Sequence, residues 1–298
     1  MQDKVAIVAG NAPSLKEIDY KRMPENYDVF RCSQFYFEDK YYLGKTLKAI
    51  NSIPYTICEQ YYTANILLQN NEYEWEEMIC VGLSPSEYFD NIETFRSIYP
   101  SVTIGYEILS KLRRFYNFCN FNNLYFGNRP TSGIDFCAIA ISRGYKEIYI
   151  AGIDFYKLGV HSYAFPIQDK NLMQISPNIQ DTKCHTKNFD LQALLFLMDN
   201  YDVKFYSLCP NSPISEYIPL APIVDSKFIL ESKPQNYTKN IILPPKEFYN
   251  TYFFGKKGLE NQKKKQYKST LKNNLYYRIF KDLFTLPKDI RRYIKAKK

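Results

Sequence analysis

The first apolar run of the chain, Lys4–Ala9, is short, β-branched and small, and it breaks at Gly10-Asn11-Ala12-Pro13-Ser14. A run of this kind reads as a buried strand that ends in a tight loop. Ser14-Leu15-Lys16-Glu17 has the serine-to-glutamate spacing of a capping box and predicts a helix start there. Strand, loop and helix N-terminus, in that order, open a doubly wound nucleotide-binding sheet. Further strand-like runs follow at Asp28–Phe35, Leu47–Ile53, Met78–Gly82, Val102–Gly105 and Asn123–Phe126. Ser132–Ser142 predicts a small-residue helix that feeds Lys146–Asp154, whose apolar density fits a central parallel strand.

There the alternation stops. Phe155 to His185 is polar, holds Pro166 and Pro177, and shows no period. A long excursion at the C-terminal end of a strand is where an α/β fold lays a lid over its ligand. Asn188–Tyr201 resumes as an amphipathic helix and Val203–Cys209 as a last core strand. The pattern predicts a single α/β domain over residues 1–254, a doubly wound and mostly parallel sheet with a small lid at about 155–187, then a tail over 255–298. In that tail Leu271, Leu275, Ile279 and Leu283 recur every four residues. Tyr276 and Phe280 lie alongside, with Lys268, Lys272, Arg278 and Lys281 between, so a basic amphipathic helix is expected ahead of Pro287.

Charge sharpens this division. Residues 255–298 carry +12, which leaves −4 on the rest of a chain whose total is +8. A basic amphipathic tail suits an anionic membrane surface or stays a solvated flexible segment, whereas an acidic body without a recognisable module argues against nucleic acid. No apolar run approaches the roughly 20 residues that span a bilayer, and no leader pattern opens the chain. A cytoplasmic protein is therefore expected, peripheral on a membrane through its tail. The seven cysteines (Cys32, Cys58, Cys80, Cys119, Cys137, Cys184 and Cys209) contain no CxxC pair and read as buried thiols of a reducing compartment.

Candidate chemistry is sparse enough to weigh residue by residue. The chain has neither G-x-G-x-x-G nor a P-loop, yet Gly10-Asn11 before a helix start offers backbone N–H groups to an anion. An ordinary βα turn explains the same residues without any ligand. There is no Asp-x-Asp pair to hold a divalent ion, and two histidines leave little for zinc, so no metal is expected. A phosphate leaving group would then need side-chain donors, and Tyr156 and Tyr163 on the expected lid are candidates, set against a background of 28 tyrosines. His185, before the Asn188 helix, is suited to take a proton from a hydroxyl, or serves as a helix cap. His161 reads as a surface lid residue. Arg129, between a predicted strand and a helix, either holds an anion or pairs with an acidic neighbour.

Taken together, Gly10-Asn11-x-Pro13-Ser14-Leu15, Asp28-Val29-Phe30-Arg31-Cys32, Phe35-Tyr36-Phe37-Glu38-Asp39-Lys40-Tyr41-Tyr42-Leu43-Gly44-Lys45, Arg129-x-Thr131-Ser132-Gly133, Gly152-Ile153-Asp154-Phe155-Tyr156 and His185-x-Lys187 resemble the Campylobacter- and Haemophilus-type lipooligosaccharide sialyltransferases of glycosyltransferase family 42. The resemblance implies a nucleotide-binding domain with a small lid, assembled as a homotetramer. It implies metal-independent, inverting transfer of sialic acid from CMP-sialic acid to a terminal galactose (α2,3) of lipooligosaccharide, in some members also to sialic acid (α2,8), at the inner face of the bacterial inner membrane. It makes His185 the general base, Tyr156 and Tyr163 donors to the departing CMP phosphate, and Arg129 an aid on the substrate side. Asn11, Ala12, Ser33, Gln34, Ile53, Thr131, Ser132, Gly133, Gly152, Ile153, Asp154 and Phe155 would line the CMP-sialic acid pocket. Ala12, Ser33 and Ile53 depart from the family pattern, which usually has glycine, asparagine and a polar residue there. On these residues a transferase for another CMP-activated acid sugar such as Kdo, or a catalytically silent CMP-binding protein, stays open.

Overall fold

The computed structural model describes residues 5–88, 91–155, 163–165, 185–243 and 274–296. The chain divides into two compact units, Met1–Pro244 and Pro245–Lys298.

In the first unit, seven strands make one sheet: β1 (Val5–Ala9), β2 (Tyr27–Arg31), β3 (Thr46–Ser52), β4 (Glu74–Cys80), β5 (Val102–Ile104), β6 (Glu147–Ala151) and β7 (Lys204–Ser207). Their order is β5-β4-β3-β2-β1-β6-β7, and every pairing is parallel. The strand expected near Lys146–Asp154 is β6, which is interior, paired on both sides by β1 and β7, but lies next to the edge rather than at the centre of the sheet. Six helices accompany the sheet among the described residues: α1 (Ile57–Gln69), α2 (Ile92–Ile98), α3 (Gly105–Leu109), α4 (Arg113–Phe126), α5 (Ser132–Ser142) and α6 (Lys187–Asn200). β1 is buried along its whole length, which is why its run reads as continuously apolar.

Side chains of each strand alternate between two cores. Ile7, Val29, Ile50 and Met78 face one, with Leu15, Phe35 and Tyr73. Ala6, Val8, Phe30, Ile148 and Ile150 face the other, against Ile134, Cys137 and Ile139 of α5 and Leu194 and Leu197 of α6.

Three local expectations need correction. Asn123–Phe126 is not a strand but the last turn of α4, where Phe115 and Cys119, four apart, are the buried positions. Its aromatic residues look strand-like by propensity, but the helical period wins. Ser14 does not cap a helix. It lies inside a short 3-10 turn, Pro13–Glu17, whose cap position is Ala12. Of the cysteines, Cys32, Cys80, Cys119, Cys137 and Cys209 are buried free thiols, Cys58 is exposed because it lies on the outer side of α1, and Cys184 is outside the described residues.

The second unit holds α7 (Leu275–Ala296), which runs through Pro287 rather than ending before it. Proline removes one helical hydrogen bond, but here the carbonyl it frees, that of Leu283, is on an exposed turn where water can satisfy it. Within this unit Leu275, Tyr276, Ile279, Phe280, Leu283 and Phe284 are all exposed. No described helix is long and apolar enough to cross a membrane.

Candidate active site

Strand order reverses between β1 and β6, and in such sheets ligands bind at the carboxyl ends of those two strands. Both strands end in glycine here. The Gly10 N–H donates to the Ala151 carbonyl at 3.0 Å, and the Ala12 N–H donates to the Gly152 carbonyl at 3.0 Å. Gly152 has φ +61°, and a Cβ on it would sit 2.7 Å from the Gly10 carbonyl oxygen and 3.0 Å from Leu15 Cβ. A Cβ on Gly10 would collide with the Gly152 carbonyl in turn. The two loops touch because neither residue has a side chain.

Asn11 is held from three directions. Its Nδ2 donates to the Ser33 carbonyl, its Oδ1 accepts from Arg31 Nη2 at 3.2 Å, and its own carbonyl accepts from the Ala164 N–H at 2.7 Å. Arg31 is almost wholly buried and pairs with the equally buried Glu38, so the amide of Asn11 rests on an internal ion pair. Losing one member of such a pair strands the other charge in the core. Gln34 adopts the left-handed region at φ 71°, and its Oε1 is buried without a hydrogen-bond partner among the described residues, as are Asn51 Oδ1 and Nδ2 and Ser52 Oγ at the end of β3. Buried polar atoms of this kind mark where a polar ligand or water is accommodated. Ile53 continues β3 in extended form, and its N–H donates to Gln60 Oε1 at 3.0 Å.

Asp154 is a structural hub. It accepts from the Ser14 N–H at 3.0 Å, from Ser14 Oγ, and from Ser212 Oγ at 3.0 Å, which ties the loops after β1, β6 and β7 together. Phe155 beside it is buried, has φ 49°, and meets Tyr217 edge-on at 6.1 Å. Gly133 at the start of α5 is covered by Ile153, whose Cδ1 would lie 2.7 Å from a Cβ there. Ser132, the first residue of α5, stays partly exposed.

On the other side of this edge stands His185. Its Nδ1 lies 3.0 Å from the Arg129 carbonyl. A carbonyl only accepts, so Nδ1 carries the proton and Nε2 keeps its lone pair. Burial, and then the Arg129 charge, push the imidazole below its ordinary range, while Asp190 pulls it back. Arg129 itself pairs with Glu87 at 3.3 Å, the acidic-neighbour reading, without leaving the site. Asp190 accepts from both the N–H and Oγ1 of Thr131 at 2.8 Å, and burial pushes its carboxyl up to about 6 against those bonds. Thr186, next to His185, caps α6 by accepting from the Phe189 N–H at 3.1 Å, so the histidine enters on a fixed turn.

Tyr163 is drawn to the same edge, since the Ala164–Asn11 bond adjoins it and its ring stacks on Phe165 at 5.1 Å. Burial pushes its hydroxyl up to about 12, so it stays a donor. Tyr156 and His161 lie outside the described residues. The remaining expected residues meet along the carboxyl edge, from Ser33, Gln34 and Ile53 at β2 and β3 to Thr131 and Ser132 at α5. Sequence reasoning missed Glu87, Asp190 and the Arg31–Glu38 pair. An acid in the first turn of α6 was the available signal for Asp190. Among the described residues no group of three or more His, Cys, Asp and Glu is arranged to hold a metal ion.

His185 with an open ring nitrogen, Tyr163 and the Gly10–Gly152 contact all lie on loops that follow the strands or flank α5. The model of the family "Alpha-2,3-sialyltransferase (CST-I)" matches residues 4–297. The sialyltransferase CstII from Campylobacter jejuni in complex with CMP-3FNeuAc is 47% identical, with a TM-score of 0.76 over 84% of this chain and 98% of that one. CST-II in complex with a trisaccharide acceptor and CMP gives a TM-score of 0.73 at 47% identity, over 83% of this chain and 98% of that one. Monofunctional alpha-2,3-sialyltransferase Cst-I from Campylobacter jejuni gives 0.76 at 40% identity, over 90% of this chain and 96% of that one. An uncharacterized protein of Haemophilus influenzae is 37% identical over 240 residues, 78% of this chain and 98% of its own length. With a family model across nearly the whole sequence and this glycine-lined edge beneath it, the chain belongs to the alpha-2,3-sialyltransferase (CST-I) family and is a glycosyltransferase of that type.

Proposed function

We propose that this sialyltransferase moves sialic acid from CMP-sialic acid to a terminal galactose of lipooligosaccharide in α2,3 linkage, with inversion and without a metal ion. The observation that carries the reading is the His185–Arg129 bond, which leaves Nε2 as the acceptor of a proton. The acceptor hydroxyl oxygen attacks the anomeric carbon and its proton passes to Nε2. The bond from that carbon to the phosphate oxygen breaks, and CMP leaves with the electron pair. Tyr163, next to the Ala164–Asn11 bond, and Tyr156 donate hydrogen bonds to the phosphate as charge grows on it. Such donors are worth roughly 3 kcal/mol each, and a placed base about 10²–10⁴-fold. The absence of any Asp-x-Asp pair supports tyrosines in the place of a cation. The relatives solved with CMP and with a trisaccharide acceptor support both substrates. Incubating the enzyme with CMP-Neu5Ac or CMP-Kdo and a galactose- or sialic-acid-terminated acceptor, in EDTA, tests donor, linkage and metal together. Product from CMP-Kdo alone would sink the reading.

The tail supports peripheral attachment to the inner face of an anionic membrane, which would bring the site to a lipid-linked acceptor. The end of α4 supports assembly as a homotetramer. Phe121, Leu124, Tyr125 and Phe126 are all exposed there, and the rings of Phe121, Tyr125 and Phe126 pack on one another. Sedimentation equilibrium reads the oligomer directly, and a monomer at working concentration would contradict it.

A further inference from the structure

Two short segments meet at His185, and one carboxylate closes them into a ring. From Arg129 the chain runs two residues to Thr131. Thr131 gives two hydrogen bonds, both 2.8 Å, to Asp190 in the first turn of α6. From Asp190 the chain runs back through the Thr186 cap to His185, whose Nδ1 returns to the Arg129 carbonyl at 3.0 Å. Asp190 is only 1% exposed. We propose that Asp190 is a positioning residue for transfer: it locks the segment carrying the His185 acceptor bond to the helix carrying the ring, and its charge favours the imidazolium that forms as the acceptor is deprotonated. This rests on the general-base reading of His185 and deepens it.

The charged and titratable groups around the pair bear on the sign. Arg129 faces His185 from the loop before α5 and disfavours the imidazolium. Asp135 on α5 faces Asp190, and burial, with Asp190 next, holds its carboxyl well above the usual range. Glu87, from the turn before α2, pairs with Arg129. Asp190 is therefore the carboxylate that acts on His185 in favour of its charged form, and removing its charge lowers the histidine pKa further. A buried acid that fixes a catalytic imidazole through its orientation and charge, without touching substrate, is a general device.

The test uses the full chain, which has only two histidines, so ring nitrogen resonances of His185 are assigned by difference with His161→Gln. Asp190→Asn removes the charge while keeping both contacts with Thr131, its Oδ1 accepting from the Thr131 N–H and its Nδ2 donating to Thr131 Oγ1. Thr131→Val removes one bond and keeps the charge. In wild type the ring should titrate below the ordinary histidine range, as the Nδ1–H tautomer. Asp190→Asn should move that titration to lower pH and lower kcat roughly 10- to 100-fold, part of what a placed base supplies, with the KM for donor little changed. Thr131→Val should mix the two tautomers, and Thr131→Ser should recover most of the loss. If Asp190→Asn does not fold, Thr131→Val decides the matter alone. A folded Asp190→Asn with unshifted His185 titration, or a Thr131→Val with unmixed tautomer, overturns the proposal. Because the resonances are read without turnover, a His185→Ala enzyme of full activity would sink the general-base reading while leaving the coupling measurable.

Discussion

The backbone N–H of Ala164 donates to the carbonyl of Asn11 at 2.7 Å, which couples residues 163–165 to the loop that leaves the first strand. Tyr163 sits beside that bond, on the face of Phe165. Replacing Tyr163 with Phe keeps the ring and removes only the hydroxyl. Transfer should fall on the order of 10²–10³-fold in kcat with the melting temperature unchanged. Steady-state kinetics alongside thermal unfolding separates the two effects, and an unaltered kcat would remove Tyr163 from the leaving-group role.

Gly152→Ala tests the contact at the switch point. The added Cβ meets the Gly10 carbonyl at 2.7 Å in a backbone conformation of φ +61° that alanine dislikes. Strain and overpacking together should cost about 2–4 kcal/mol. Urea unfolding reads that loss, and calorimetric titration should show CMP affinity falling with it. A variant of native stability would mean that the loops can separate freely.

The pH profile follows from the buried imidazole. Burial and the Arg129 charge disfavour the protonated ring, so the free base persists below the ordinary histidine range. The acid limb of kcat/KM should therefore be centred below the ordinary histidine range. Tyr163, pushed up to about 12, remains a donor throughout and gives no alkaline limb near neutrality. An acid limb centred above 6.5 would contradict this environment for His185.

Much of this site could be read before any coordinates, and what could not shares one cause. Gly10, Gly152 and the apolar strands beside them announce themselves through local pattern, because a tight turn and a buried strand are short-range features. Ser14 was mistaken for a helix cap because its partner, Asp154, is 140 residues away. Asp190 drew no attention because Thr131 lies 59 residues from it. Arg31 and Glu38 sit in a stretch that looks like ordinary surface charge, yet fold into the core as a pair. Helix α4 misled in another way, since its last turn carries aromatics that favour strands but leave their rings exposed.

The tail makes a separate prediction. Helix α7 carries exposed apolar residues between Lys281, Arg291 and Arg292, the composition of a segment that lies in an anionic interface. Deleting residues 260–298 should move the enzyme from the membrane pellet to the supernatant, with activity on a soluble acceptor retained. A truncated chain that still pellets would exclude the tail as the anchor.

The most direct measurement is single-turnover CMP release from CMP-Neu5Ac, with acceptor and EDTA present, for wild type and His185→Ala. Wild type should keep its rate in the chelator, and His185→Ala should lose about 10²–10⁴-fold while still binding donor. Full loss of wild-type activity in EDTA, or an undiminished rate in His185→Ala, would contradict a reaction run by an imidazole and tyrosine hydroxyls.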